Sequence, residues 1–256
     1  MTPDIEKVEK SIIALLRQLP SSISKIPFDV MAAIERLQYC TVRSFQEASA
    51  RLGLSIADIV EYCESSTGCS YKKKGQDKYI ILYNNAPDIS QSRKTFTLAH
   101  ELGHISLGHM RALEKSCVTA RNRQYSSLET SANMFAAYLL CPAPVLYNFG
   151  IASPMVVSSI FGISLASAEI SLKNIKGYNC DDNPRHNEVL TLYNINRAKN
   201  DDFPDGIPIW QPPKYNESKE RESAPCLTKE EKEREAARFE RLEEEYLSDA
   251  AVRPLH

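Results

Sequence analysis

The stretch Thr97-Leu98-Ala99-His100-Glu101-Leu102-Gly103-His104-Ile105 sets two imidazoles and a carboxylate on what its spacing predicts to be one helix. Residues four apart in an α-helix stack on one face, so His100 and His104 can chelate the same ion, with Glu101 leaving the helix beside them. Leu98, Leu102 and Ile105 recur at i, i+4 and i+7 as the face turned to the core. Thr95 and Thr97 are the candidate N-caps, and Gly108 stands where a helix-ending glycine belongs. Gly103 weakens a helix by about 1 kcal/mol relative to alanine. Between two ligands, its missing side chain is expected to admit a strand or a substrate. Two metal-binding side chains and a general base this close together are the arrangement of a zinc hydrolase and imply a metallopeptidase. The competing account is a core helix that happens to carry these residues, a rare coincidence with 5 His in 256 residues.

Such a site needs a third protein ligand and an open position for water. His109 is nearest, but an H-E-x-x-H-x-x-G-x-x-H run would need Gly where Leu107 stands and His where Met110 stands. His109 therefore reads as an ordinary residue at the helix end, where a cation suits the dipole. Downstream, Leu128, Ala132, Phe135, Ala136 and Leu139 form a helical apolar face, and Pro142 supplies the stop. Glu129 and Asn133 sit at i, i+4 on one side of that helix. Glu129 would be the third ligand, and Asn133 would orient His100 or His104 through a ring N–H. The alternative for Glu129 is a surface carboxylate favoured by the helix dipole. Tyr125 and Tyr138 are candidate transition-state donors because phenols suit oxyanion stabilisation, although 12 Tyr in the chain favour a core role for each.

Three segments in this order resemble the ImmA/IrrE family of bacterial metallo-endopeptidases: the apolar run at 79–84, then Arg93-Lys94-Thr95-Phe96-Thr97-Leu98-Ala99-His100-Glu101-Leu102-Gly103-His104, then Ala132-Asn133-Met134-Phe135-Ala136-Ala137-Tyr138-Leu139-Leu140-Cys141-Pro142. Phe161-Gly162-Ile163-Ser164 adds a further similar turn, and the likeness covers about residues 26–178. It implies a zinc-dependent protease with a gluzincin-type site, in which His100, His104 and Glu129 match the zinc ligands and Glu101 the general base. Ser131 stands where many members carry a second Glu, which leaves Glu129 as the carboxylate able to serve. The resemblance also implies the substrate class, a helix-turn-helix repressor whose cleavage releases genes of a mobile element or a stress response. The expected fold is α+β, a mainly helical zincin-like peptidase core with a small β-sheet, plus an extended C-terminal segment ending in a charged helix.

Composition bounds the remainder. The 43% hydrophobic content is ordinary for a globular chain, and a formal charge of −2 argues against general nucleic-acid binding. Seven Cys, at positions 40, 63, 69, 117, 141, 180 and 226, form no C-x-x-C pair, so reduced thiols are expected. A thiolate from Cys117 or Cys141 on the metal is the minor alternative to buried free thiols. The N-terminus shows no signal-peptide pattern, and no apolar stretch approaches the ~20 residues of a membrane span. A soluble, cytoplasmic enzyme is expected.

Along the chain, the reading divides into an N-terminal helix in 1–25, the peptidase region 26–178, and a linker with a charged helical tail in 179–256. Residues 4–19 carry an amphipathic pattern closed by Pro20, and Pro27 and Asp29 open a second helix to about 39. Helices near 43–52 and 55–64 flank Gly53, so 44–62 resembles a helix-turn-helix, though it is poor in the basic residues that meet phosphates. Residues 71–84 read as a hairpin, 117–125 as a short strand, and 154–161 and 164–176 as helices. Past 178, Asp, Asn and Pro suit a linker, with a brief strand at 189–195 and an apolar island at Ile207, Ile209 and Trp210. Thr228-Lys229-Glu230-Glu231 is a capping box opening a helix to about 247, either solvated or a partner-binding or regulatory element. The alternative function is a non-catalytic zinc-binding regulator acting through protein contacts or through 44–62. Glu101 argues against it, since a purely structural site needs no base.

Overall fold

Ser44 and Ser55 each close a capping box, with Glu47 and Asp58 respectively, and start two short helices joined at Gly53, whose φ of 67° suits a residue with no Cβ. The computed structural model describes residues 5–72, 76–112, 123–175, 178 and 183–195. In order these form α1 (Ile5–Leu16), α2 (Val30–Arg36), β1 (Cys40–Ser44), α3 (Phe45–Leu52), α4 (Ile56–Cys63), β2 (Gly68–Lys72) and β3 (Tyr79–Tyr83). There follow α5 (Gln91–Ser106), α6 (His109–Ala112), α7 (Arg123–Leu140), α8 (Ala143–Phe149), α9 (Pro154–Phe161), α10 (Leu165–Ile175) and α11 (His186–Leu192). Among the described residues the fold is α+β, with helices around a three-stranded sheet of order β1-β3-β2.

Strand β3 is central because both of its faces are apolar. Tyr79 and Ile81 join the main core, while Leu82 meets Phe45, Ala48, Ile59 and Cys63 of the α3–α4 hairpin on the opposite face. The helix-turn-helix-like segment thus covers one side of the sheet. β2 pairs antiparallel with β3, Ser70 opposite Ile81, and completes the expected hairpin. β1 was not foreseen. It runs parallel to β3, with Val42 opposite Ile81, between stretches whose periodicity reads as helix to about 39 and again from about 43.

Helix α5 crosses the sheet and packs against α7. Its start lies before Thr95 and Thr97. Ser90 is the N-cap, its hydroxyl accepting from the Arg93 N–H at 3.3 Å, and the first turn is polar and so invisible to apolar periodicity. Gly103 is required by α7 rather than by a strand or a substrate. A Cβ there would lie 3.0 and 3.1 Å from Phe135 side-chain atoms and 3.2 Å from the Ala132 carbonyl oxygen. Gly103→Val is therefore expected to destabilise the protein by about 1–3 kcal/mol, seen as a lower urea midpoint with an unchanged slope.

Contacts group residues Met1–Arg197 as one unit, so α1 and α11 share the core of the 26–178 region. The strand expected at 189–195 is instead the last turn of α11, to Leu192, and the turn that follows it. Val189, Leu190 and Tyr193 are all buried, which fits one helical face and not the alternation of a strand. Cys141 is a buried free thiol at the end of α7, pushed up to about 12 by burial and hence neutral. The strand drawn at 117–125 falls outside the described residues as far as 122, and 123–125 belong to α7. Cys117, the island at 207–210 and the charged helix at 228–247 also lie outside them. Among the described residues, no single helix is long and apolar enough to cross a membrane.

Candidate metal centre

One face of α5 and one face of α7 meet beside β2, and the polar residues of each stand in the gap. His100 and His104 come from α5, and Glu129 and Asn133 from α7. His100 Nε2 lies 3.2 Å from Glu129 Oε2, His104 Nε2 lies 2.9 Å from Glu129 Oε1, and the two Nε2 atoms are 3.0 Å apart. These three residues offer ligand atoms all within 4.8 Å of one another, close enough to share one ion. They line a cleft of ≈ 360 Å³ that is bounded on its other side by Gly68, Cys69 and Ser70 of β2. Gly68 lets the strand close on α5, since a Cβ there would meet Thr97 Cγ2 at 2.6 Å.

The ring orientations follow from the outer partners. His100 Nδ1 lies 2.9 Å from Asn133 Oδ1. An amide oxygen only accepts, so His100 donates from Nδ1, and in the neutral ring its Nε2 lone pair then faces the cleft. Asn133 thus stands against His100 and not against His104. At His104 the corresponding partner is His109, with Nδ1 atoms 3.0 Å apart and only 3% of His109 exposed. Nothing in the spacing of the His-Glu motif points to this contact. Gly108, with φ of 74°, reverses the chain after α5 and folds His109 back onto the ring one turn earlier.

Charge in the cleft is concentrated and partly dehydrated. Burial alone would raise the Glu129 carboxyl, but hydrogen bonds from His100 and His104 outweigh it and hold Glu129 well below the usual range. Burial alone would lower the His100 imidazole, whereas bonded Glu129 and nearby Glu101 reverse that and raise it. Glu101 is 7% exposed and its carboxyl is pushed up by burial, against the pull of His100, His104 and the Ser70 hydroxyl. His109 is pushed down to about 4, first by burial and then by the neighbouring His104.

Tyr138 is not placed as a transition-state donor. The Tyr138 hydroxyl donates to Glu9 Oε1 at 2.9 Å and ties α7 to α1, and the Tyr125 side chain falls outside the described residues. Arg93, exposed on the same face of α5, lines the cleft instead and adds a cation that the metal motif did not single out.

Two imidazoles and a carboxylate closing on one point, with a second buried carboxylate alongside, make the donor set of a metal-dependent hydrolase. Residues 61–173 match the family profile of the IrrE N-terminal-like domain, a peptidase family. Over 122 residues, 47% of this chain and 73% of the other, the sequence is 30% identical to the "Uncharacterized immunity region protein 2" of Bacillus phage phi105. The chain belongs to the IrrE N-terminal-like family, whose peptidases are metallopeptidases.

Proposed function

We propose that this protein is a cytoplasmic, zinc-dependent endopeptidase that cleaves a helix-turn-helix repressor or a similar regulatory protein and so derepresses genes of a mobile element or a stress response. The convergence of His100, His104 and Glu129 beside buried Glu101 carries the reading. Two neutral nitrogens and one carboxylate suit zinc, which takes three protein ligands at catalytic sites. The substrate class is supported by family membership and by the relative from a phage immunity region.

His100, His104 and Glu129 would hold the ion. When bound, it supplies Lewis-acid chemistry, lowering the pKa of water and polarising the scissile carbonyl. Glu101 takes the proton from the attacking water and returns it to the leaving amine as the C–N bond breaks. The β2 edge beside the cleft receives the substrate backbone in extended form, which brings a peptide bond past Glu101. Asn133 keeps His100 turned toward the ion.

The test is cleavage of a purified helix-turn-helix repressor, followed by gel and mass spectrometry. Zinc-loaded protein is expected to give two defined fragments, and chelated protein none until zinc is restored. Fragments that persist unchanged under chelation would overturn the metallopeptidase reading. An intact repressor, together with metal-dependent cleavage of an unrelated protein, would overturn the substrate alone.

A further inference from the structure

We infer that His109 is a positioning residue of the metal centre: its Nδ1 accepts a hydrogen bond from the Nδ1–H of His104 and so holds the His104 Nε2 lone pair on the metal position. The inference rests on the reading of His100, His104 and Glu129 as metal ligands.

The tautomers follow by elimination. A neutral imidazole carries one N–H, and the nitrogen that binds a metal must be the one without it. His104 turns Nε2 toward Glu129 and His100, at 2.9 and 3.0 Å, so as a ligand it carries its proton on Nδ1. That N–H points at His109 Nδ1, 3.0 Å away. Two Nδ1 atoms can bond only if one is protonated and the other is not. His109 must then be the Nε2–H tautomer.

The contact is built. Gly108 reverses the chain at φ 74°, and the rings of His104 and His109 meet with centroids 5.0 Å apart at 74°, an edge-on approach that aligns a ring N–H with a lone pair. The two ligating histidines are therefore oriented by different chemistries. The amide oxygen of Asn133 serves His100, and a third imidazole serves His104. Partners of this kind fix ring orientation and raise ligand basicity, and losing one costs about 10–100-fold in metal affinity.

The test compares zinc dissociation constants of the wild type, His109→Phe and His109→Asn, measured by competition with a chromogenic chelator. Ring-nitrogen NMR of the zinc-loaded wild type accompanies it. Phe fills the volume without an acceptor, whereas the Asn amide oxygen can stand near the place of Nδ1. His109→Phe is expected to weaken zinc binding about 10–100-fold, and His109→Asn to restore most of it. NMR is expected to show His104 protonated at Nδ1 and His109 at Nε2. Unchanged affinity in His109→Phe, equal loss in both variants, or a proton on His109 Nδ1 overturns the inference. If His109→Phe does not fold, the wild-type tautomers still decide the matter. A wild type that takes up no zinc removes the metal centre itself and this inference with it, an outcome distinct from zinc binding that ignores His109.

Discussion

Glu101→Gln is expected to lower peptide hydrolysis by about 10²–10⁴-fold while the protein keeps its zinc. Glutamine preserves the volume of a side chain that is 7% exposed, so packing against β2 changes little. On the proposed mechanism, what is lost is the ability to accept a proton from water and hand it on. None of the three converging donors is altered, so zinc content after dialysis should equal that of the wild type. Full hydrolysis of the repressor by this variant would remove Glu101 from the chemistry. Loss of zinc together with activity would mean that the residue supports the metal instead.

Glu129→Ala acts at the other end of the same reaction. It removes the one carboxylate among the three converging donors, so the loss of zinc affinity should exceed the about 10–100-fold that an outer partner is worth, and activity should vanish with the metal. Zinc content by atomic spectroscopy after dialysis measures it, and a full equivalent retained would sink the assignment. The wild-type site also predicts a pH dependence. Burial alone would lower the His100 imidazole, but bonded Glu129 and nearby Glu101 outweigh it and raise the ring above its ordinary value, so a proton competes for it from a higher pH than usual. Zinc needs that ring deprotonated. Apparent affinity should therefore fall on acidification, by about tenfold per pH unit for one displaced proton, and the fall should begin above the usual value of about 6.5. A zinc affinity flat between pH 8 and 5.5 would contradict it.

What could be read from the sequence is what helices encode locally. His100 and His104 are four apart, as are Glu129 and Asn133, and the period of the helix delivers each pair to one face without reference to the remaining chain. The same periodicity located α1, α7, α9 and α10. Features set by distant partners were not legible. β1 is five residues long and finds its partner some forty positions later, so its pattern alone could not separate it from the adjoining helices. Ser90 was missed because the first turn of α5 carries no apolar signal, and the β-branched threonines nearer the apolar run drew the cap instead. Gly103 reads from its sequence neighbours as room for a strand or a substrate, while the contact that demands it comes from Phe135. His109 failed a register test for direct ligation, and that test says nothing about a hydrogen bond one layer out. Its one sequence clue was Gly108, which ends a helix and reverses the chain in the same step.

The buried carboxylate of Glu9 gathers the hydroxyl of Tyr138, the amide of Asn183 and the guanidinium of Arg185, at 2.9, 3.0 and 3.4 Å. Those partners lie on α7, just ahead of α11, and at its N-cap, whereas the stretch shared with the family profile is 61–173. A chain trimmed to that stretch would retain every donor atom of the metal centre, yet strip the back of the helix that carries Glu129. It would also take from β3 its parallel neighbour. The chemistry is thus inscribed in a few turns, while the clasp that keeps those turns in place joins the two ends of the folded unit. The support of the candidate metal centre thus draws on a stretch of chain considerably longer than the motif by which the family is recognised.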